Sequence, residues 1–204
     1  MDGCKIETSI TKEEVALLPV EEFRGRVIEI YTVRDAERAV LYLSQFKKLG
    51  FDTETKPSFT KGKSHKVALM QISTDEACFL FRLNRIGIPP VLLALLTNTG
   101  IQKIGLSLKD DFGALRKRAR FEPGGFIDLQ NYVKEFGIQD ASLQKIYALL
   151  FHKRISKGQR LTNWEAEILT EPQKRYASLD AWACLKIYEK LQQKKEHDRL
   201  SSFK

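Results

Sequence analysis

The sequence predicts an α/β fold in which helices cover a mixed β-sheet. Three β-rich segments follow one another between residues 50 and 83, and only three residues separate the last two, as in a hairpin. From residue 89 onward, β-rich and helical patterns alternate. Successive strands form antiparallel pairs and alternating elements form parallel ones, so the predicted sheet contains both kinds.

The predicted elements run through the whole chain in a regular order. An N-terminal extension, residues 1–25, holds one short helix with the sequence TKEEVALL. The elements that follow are a strand (26–31), an amphipathic helix (33–49), a strand (50–55), the hairpin strands (66–73 and 77–83), a helix (89–98), a strand (101–107), a helix (107–119), a short strand (125–129), two helices (128–136 and 142–150) and a long final helix from residue 171.

Local signals predict where several helices begin. The pair Pro89-Pro90 opens one of them, since proline suits the first helical turn. The final helix begins with Thr170-Glu171-Pro172-Gln173, which combines an N-cap threonine, an early proline and the glutamine of a capping box. Asp128 is predicted to cap the helix that follows it rather than to bind a ligand.

Composition favours a globular protein with a polyanionic partner. We expect the extension to be followed by one domain (26–196) and a flexible C-terminal tail (197–204). No apolar run reaches about eighteen residues, and the polar N-terminus does not resemble a secretory signal, so no membrane partner is expected. The net charge is +8, which favours nucleic acid.

The three cysteines, Cys4, Cys78 and Cys184, lie far apart in the sequence. They form neither a disulfide framework nor a zinc motif. The expected location is therefore a reducing cytoplasm.

The segment GFDTET, residues 50–55, places two acids on a strand that should be buried. Side chains alternate along a strand, so Asp52 and Glu54 point to the same side. Taken alone, such a pair is more often a solvated strand edge than a site.

A third acid interrupts the apolar stripe of the final helix. The stripe has helical spacing and consists of Tyr176, Asp180, Ala183, Cys184, Ile187 and Leu191. An unpaired buried carboxylate is costly, so Asp180 needs a partner, a proton or a metal ion. Taken alone, Asp180 fits a buried ion pair, and Tyr176, one turn earlier, fits the core.

The helix 107–119 offers two adjacent acids with different expected roles. Asp110 stands three residues after Ser107, which is predicted to be the N-cap, so we assign Asp110 to a capping box. Asp111 lies at the edge of the apolar face formed by Leu108 and Leu115, and we assign it to the site.

Convergence of Asp52, Glu54, Asp111 and Asp180 would concentrate about four negative charges in a small volume. Two divalent cations remove that conflict, and oxygen ligands without histidine or cysteine suit Mg²⁺ or Mn²⁺. Paired ions about 3.5–4 Å apart serve in-line displacement at phosphorus. Tyr176 would then orient the attacking water.

The segments FDTET, GLSLKDD and YASLDAW occur in the order and approximate spacing of the DEDD exonucleases. The Tyr176-x-x-x-Asp180 pattern resembles the DEDDy branch of that family. Residues 161–188, including Asn163-Trp164, resemble ribonuclease D and the exonuclease domain of the Werner-syndrome protein. The resemblance covers residues 26–192, and together these motifs are far more specific than any one of them.

The resemblance implies a ribonuclease-H-like fold with a sheet of five to six strands and helices on both faces. It implies that Asp52, Glu54, Asp111 and Asp180 bind two metal ions, that Asp52 bridges them, and that Tyr176 positions the water. The implied activity is 3′-to-5′ hydrolysis of single-stranded or 3′-overhang DNA or RNA, releasing nucleoside 5′-monophosphates. Helical and helicase domains of relatives have no counterpart here, which implies a stand-alone domain without an obligate protein partner.

Two basic clusters can contact phosphates or simply be solvated, and the sequence favours neither interpretation. Their candidate nucleic-acid contacts are Lys61, Lys63, Lys66, Arg154, Lys157 and Arg160. Phe59, Met70 and Trp164 are candidates for stacking on a terminal base, although Met70 and Trp164 fit the core better.

Two other functions compete with the exonuclease. One is a non-catalytic nucleic-acid-binding or scaffold protein on an exonuclease fold, which the loss of an acid would mark. The other is a different metal-dependent phosphotransferase on the same fold. The complete set of four acids and Tyr176 favours the exonuclease.

Overall fold

The computed structural model describes residues 7–60, 62 and 64–201. The strands are β1 (Arg26–Ile30), β2 (Lys48–Glu54), β3 (Leu69–Ser73), β4 (Ala77–Phe81), β5 (Gln102–Gly105) and β6 (Phe126–Asp128). The helices are α1 (Lys12–Leu17), α2 (Val33–Leu43), α3 (Leu83–Ile86), α4 (Pro90–Thr97), α5 (Leu108–Leu115), α6 (Leu129–Tyr132), α7 (Leu143–Phe151) and α8 (Glu171–Ser201), with a 3₁₀ turn at Val133–Phe136. None of the described helices is long and apolar enough to cross a membrane.

The six described strands form one mixed sheet in the order β1-β4-β3-β2-β5-β6. The predicted hairpin is confirmed, since β3 pairs antiparallel with both β2 and β4. The other three pairs, β1 with β4, β2 with β5 and β5 with β6, are parallel. This topology places β2, the strand with the two acids, in the interior of the sheet.

Helices cover both faces of the sheet, as predicted. On one face, α2, α4 and α5 pack on an apolar cluster that contains Leu49 and Phe51 of β2. On the other face, α7 and α8 bury their apolar stripes against β3, β4 and β5. The α/β architecture therefore agrees with the sequence prediction.

Gly50 allows α8 to lie directly against β2. A Cβ atom at this position would clash with the main chain at Ala181. Because Gly50, Asp52 and Glu54 alternate with buried neighbours, all three face α8. This close approach of Gly50 to Ala181 also brings Asp180, the residue before Ala181 on α8, to the acids of β2.

The structure corrects several predicted boundaries. Strand β3 begins at Leu69 rather than at residue 66, and the chain after β4 forms the short helix α3 instead of continuing as strand. The helix predicted at 128–136 is one α-helical turn followed by a 3₁₀ turn, and the helix predicted at 107–119 ends at Leu115. The helix α8 continues to Ser201, so helix occupies the first part of the expected tail, and residues 202–204 lie outside the described residues.

The capping prediction for α5 is wrong. Ser107 has φ 59° and its side chain makes no cap hydrogen bond. Asp128 replaces it, because its two carboxylate oxygens accept hydrogen bonds from the backbone N–H groups of Ser107 and Leu108, both at 3.0 Å. Asp128 also accepts from the backbone of Gln130, which confirms the predicted cap of the following helix. One carboxylate thus joins β6 to two helix N-termini.

The caps of α8 and α4 are confirmed. Thr170 and Gln173 form the reciprocal pair, with the Thr170 backbone N–H donating to Gln173 Oε1 at 3.0 Å and the Gln173 backbone N–H donating to Thr170 Oγ1 at 3.4 Å. The helix α4 begins at Pro90, with Pro89 before it.

The N-terminal extension packs along the domain. Val20 forms a β-bridge with Arg154, and the Arg154 Nε donates to the Leu18 carbonyl at 3.0 Å. The Glu21 carboxylate accepts from the Tyr147 hydroxyl at 2.8 Å and pairs with Lys153 at 3.0 Å. These contacts hold the segment that follows α7 in place.

Candidate active site

Three carboxylates meet where the end of β2 faces α8. Asp52 and Glu54 come from the strand and Asp180 comes from the helix, and one ligand oxygen from each lies within 4.8 Å of the others. The strand alternation aims the first two at α8, and the close approach at Gly50 supplies the third. The structure therefore brings together three of the four acids that the sequence singles out.

The cluster is partly shielded from solvent, since Asp52 and Glu54 are half-buried and Asp180 is buried. The Asp180 residue is 8% exposed, and its Oδ1 atom has no hydrogen-bond partner within the described part of the chain. A buried carboxylate oxygen without a donor is unfavourable unless a proton or a cation compensates it. A proton or a divalent cation at Asp180 Oδ1 would supply this compensation.

The pKa values of the acids show the same electrostatic conflict. Burial, followed by the neighbouring charges of Glu54, Asp180 and Asp111, raises the pKa of Asp52 well above its usual range. Burial and then Asp180 and Asp111 raise the pKa of Glu54 to about 9. Without a cation, this cluster retains protons at neutral pH.

The pKa of Asp180 rises to about 7, again mainly because the group is buried. The Tyr176 hydroxyl hydrogen bond and the charge of Lys157 act in the opposite direction.

Asp111 stands beside the cluster rather than inside it. The Thr53 hydroxyl donates to its Oδ1 atom, and burial is the main cause that raises its pKa to about 6. Its charge still contributes to the raised pKa values of Asp52 and Glu54. Asp110, in contrast, is exposed, and its charge is not among the causes that raise the pKa of Asp52 or Glu54. Asp111 is thus the acid of α5 that faces the cluster.

Tyr176 lies one turn before Asp180 on α8, with its hydroxyl near the Asp180 carboxylate. Its ring packs against Trp164, with 6.0 Å between the ring centroids. Burial and the charges of Asp180, Glu54 and Asp52 raise the pKa of Tyr176 far above its ordinary value. The tyrosine therefore stays protonated and serves as a hydrogen-bonding group.

A cleft of about 430 Å³ opens onto these groups. Its lining includes Asp52, Glu54, Asp180 and Tyr176, with Lys157 and Arg160 from the loop before α8, but, among the described residues, not Asp111, Lys66 or Arg154. The charge of Arg160 lowers the pKa of Glu54, against the larger effect of burial. Lys66 is exposed, and Lys61 and Lys63 lie outside the described residues.

Sequence reasoning missed the polar residues on the opposite wall of the cleft. These are Ser107, Ser142 and Gln144. Ser142 caps α7, and Gln144 Nε2 donates to the Ile155 carbonyl at 2.6 Å. Nothing in the sequence predicts that these residues line a cleft, because serine and glutamine are common in helix-start segments throughout proteins. The left-handed φ of Ser107 is visible only in the structure.

The stacking candidates separate clearly. Met70 and Trp164 are fully buried in the core, as the sequence favoured, whereas Phe59 is 85% exposed in the loop that follows β2. Phe59 is thus the stacking candidate that stays accessible among the three.

The donor set fits a hard divalent cation. Three carboxylates offer oxygen atoms within 4.8 Å of one another, and a fourth carboxylate, Asp111, is adjacent. Cys184 also lines the cleft, but burial and the nearby acids raise the pKa of its thiol well above its usual range, so it is no thiolate ligand. Oxygen donors of this kind are preferred by Mg²⁺ and Mn²⁺.

The sequence profile of the family described as 3′-5′ exonuclease matches residues 27–196. The chain is 32% identical over 185 residues to the mouse bifunctional 3′-5′ exonuclease/ATP-dependent helicase WRN. That match covers 85% of this chain and 13% of the mouse protein, so the chain spans only a small part of this relative.

Solved structures share the fold. The EXO domain of Nibbler from Aedes aegypti superimposes with a TM-score of 0.75 at 20% identity, covering 87% of this chain and 94% of that one. Trypanosoma brucei RNase D in complex with RNA U12 gives a TM-score of 0.71 at 20% identity, covering 83% of this chain and 63% of that one. The ribonuclease-H-like exonuclease fold implied by the motifs is confirmed.

Proposed function

Because this chain belongs to the family of 3′-5′ exonucleases, we propose that it is a two-metal-ion exonuclease of the DEDDy type. It hydrolyses a nucleic acid from the 3′ end and releases nucleoside 5′-monophosphates. The family match shows that the chain is a 3′-5′ exonuclease by family. The number of metal ions, the DEDDy subtype and the nucleotide product are parts of the proposal.

The observation that carries this proposal is the cluster of Asp52, Glu54 and Asp180, with oxygens within 4.8 Å of one another. An assembly of buried acids that destabilises itself has no structural benefit. Perturbed carboxylates in a cleft mark a site that needs a bound cation. The orphaned Asp180 Oδ1 supports the same conclusion.

In this proposal Asp52, Glu54, Asp111 and Asp180 would hold the cations. When bound, Mg²⁺ or Mn²⁺ would neutralise the acids, lower the pKa of water and stabilise charge that develops on the phosphate. Asp111 would join this set from its position beside the cluster, where its Oδ1 atom accepts a hydrogen bond from the Thr53 hydroxyl.

Tyr176 positions the attacking water. Its hydroxyl carries a proton at neutral pH, and its ring is held by Trp164, so the hydroxyl is a fixed hydrogen-bonding group beside the acids. A group with such a high pKa is a poor base, so we assign it to orientation rather than to proton removal.

Lys157 and Arg160 bind the phosphates of the substrate. Both line the cleft, and both side chains are exposed at its mouth. A cleft of about 430 Å³ accommodates single nucleotides rather than a duplex. We therefore propose single-stranded or 3′-overhang nucleic acid as substrate, and the RNA bound by the trypanosomal relative makes RNA one of the two forms to test.

The proposal also includes a cellular compartment and a division of the chain into segments. The cytoplasm as compartment is supported by Cys78 and Cys184, which are buried free thiols. The division into an extension (1–25), an exonuclease domain (26–196) and a tail (197–204) follows the matched range.

The experiment uses 5′-labelled single-stranded DNA and the matching RNA with Mg²⁺, with Mn²⁺ and with EDTA. We expect a metal-dependent ladder that shortens from the 3′ end and disappears in Asp52→Ala. Asp110→Ala is the matched control for Asp111→Ala, because the two acids are adjacent and only Asp111 faces the cluster. If neither strand is cleaved and Asp52→Ala binds nucleic acid as the wild type does, the exonuclease proposal is wrong and the non-catalytic nucleic-acid-binding function takes its place.

A further inference from the structure

We propose that Gln71 is a positioning residue that orients the Asp52 carboxylate for cation binding. The inference rests on the proposed function, because it assigns a role toward the same cations. It concerns a residue that lies outside the cleft and contacts no substrate.

Gln71 lies next to Asp52 across the sheet. In the antiparallel pair of β2 and β3, Asp52 is directly opposite Gln71. Residues opposite each other in such a pair project to the same face, with Cβ atoms about 4.5–5.5 Å apart. A glutamine side chain is long enough to bring its amide to the carboxylate from this distance.

The apolar packing around Gln71 does not by itself call for an amide. All five residues of β3 are buried, and the cross-strand neighbour on the other side of Gln71 is Leu80. An aliphatic residue would satisfy this environment better than a polar one. Packing alone therefore does not explain the glutamine.

The amide itself is orphaned. Gln71 is 0% exposed, and neither its Nε2 nor its Oε1 has a hydrogen-bond partner within the described part of the chain. Buried amides are normally paired, and an unpaired one in a native fold calls for an explanation. A partner gained only when the site is loaded is such an explanation.

Asp52 is the group that needs this donor. Its carboxylate lies among those of Glu54 and Asp180, with oxygens within 4.8 Å of one another, and these groups can donate no hydrogen bond to it when ionised. Cation binding requires Asp52 to be ionised and held in one orientation. An amide N–H can hold one carboxylate oxygen in place without introducing a positive charge that would compete with the cation.

Loss of an outer-shell hydrogen bond to a ligating side chain typically weakens metal binding about 10–100-fold. We therefore expect Gln71→Met, which keeps the side-chain length and removes the amide, to weaken Mn²⁺ binding by at least about tenfold. The metal-free variant should be as stable as the wild type or more stable, because an orphaned amide has been removed. A merely structural role would instead lower its thermal midpoint.

The test is calorimetric titration of Mn²⁺ into the full chain without nucleic acid, with thermal midpoints measured in EDTA. Gln71→Leu serves as a second variant if Gln71→Met folds poorly. The matched control is Met70→Leu, a buried neighbour on the same strand that packs in the core on the opposite face. We expect Met70→Leu to bind Mn²⁺ as tightly as the wild type.

Each outcome decides the inference. Weaker Mn²⁺ binding by the Gln71 variants alone, at an unchanged or higher thermal midpoint in EDTA, supports it. Equal Mn²⁺ affinity of wild type and Gln71→Met overturns the positioning role and leaves the exonuclease proposal intact. A wild type that binds no Mn²⁺ overturns both.

Discussion

The two faces of strand β2 differ in what they contribute to the protein. On one face, Leu49 and Phe51 are fully buried in the largest apolar cluster, and the Phe51 ring meets Phe126 edge-to-face at 5.0 Å. On the other face, Asp52 and Glu54 stand against α8 with raised pKa values. Consecutive residues of one strand therefore serve stability and chemistry separately.

This difference shows how a sheet can hold an electrostatic conflict in a fixed geometry. The apolar face holds the strand in register, so the acids on the other face cannot separate to relieve their repulsion. The apolar contacts of Leu49 and Phe51 on one face therefore fix the positions of the acids on the other face. Substitutions on the two faces should therefore have opposite signatures.

The largest effect is expected for Asp52→Asn on the acidic face. In the proposed function this change removes a cation ligand, so we expect hydrolysis to fall about 10³-fold or more, as for the loss of a principal electrostatic contact in an active site. The metal-free protein should gain stability, because one member of the repelling cluster becomes neutral. Single-turnover rates and thermal midpoints in EDTA measure the two effects, and a lower midpoint would contradict the conflict described here.

On the apolar face, Phe51→Ala should behave in the opposite way. Removing a buried phenyl ring typically costs about 3–5 kcal/mol of unfolding free energy, because packing is lost and a cavity remains. Urea unfolding measures this cost. Activity per folded molecule should fall far less than in Asp52→Asn, and an equal loss would show that the two faces are not separable.

Tyr176→Phe is expected to lower kcat about 10²-fold with little change in KM, because orientation of the water is lost while substrate contacts remain. Steady-state kinetics on the preferred strand provide the measurement. A change confined to KM would assign Tyr176 to substrate binding instead.

The acidic face also predicts a pH dependence of stability in the absence of metal. The pKa values of Glu54, Asp180 and Asp111 are raised to about 9, 7 and 6. The folded protein therefore binds more protons than the unfolded chain between about pH 4 and pH 9, and its unfolding free energy falls as pH rises through this window.

The measurement is the thermal midpoint in EDTA across this window, which should fall with pH. Added Mn²⁺ should raise the midpoint more at pH 8 than at pH 5.5, since cations compensate ionised acids. In Asp52→Asn the fall should be smaller. A midpoint that rises steadily with pH in EDTA would contradict the raised pKa values.

The smallest effects are expected for substitutions of Arg160 and Arg154, two arginines of the same basic cluster that should differ in what they change. Arg160 lines the cleft, so Arg160→Ala should weaken nucleic-acid binding and reduce the slope of log affinity against log salt by about one. Arg154 donates to Leu18 in the extension, so Arg154→Ala should cost about 1 kcal/mol of stability and leave the salt slope unchanged. Fluorescence anisotropy at several salt concentrations distinguishes them.

Much of the architecture could be predicted from sequence, because it depends on local patterns. The alternation in GFDTET, the helical stripe around Asp180 and the cap at Thr170 are properties of neighbouring residues, and the structure confirms all three. A local pattern predicts a helix cap less well when a distant residue can provide the same hydrogen bonds. Ser107 is the predicted cap of α5, but the carboxylate of Asp128, distant in sequence, accepts the hydrogen bonds at the start of this helix.

The α/β class and the candidate acids can be read from the sequence, since periodicity and alternation are properties of neighbouring residues, and the order of the motifs resembles that of the exonucleases. The packing of whole elements decides that Gly50 brings α8 onto β2, that Thr53 donates a hydrogen bond to Asp111 beside the cluster, and that Arg154 faces the extension while Arg160 faces the cleft. It also placed the orphaned amide of Gln71 opposite Asp52. The reason is physical: local patterns set backbone conformation, whereas contacts between residues distant in sequence depend on how whole elements pack.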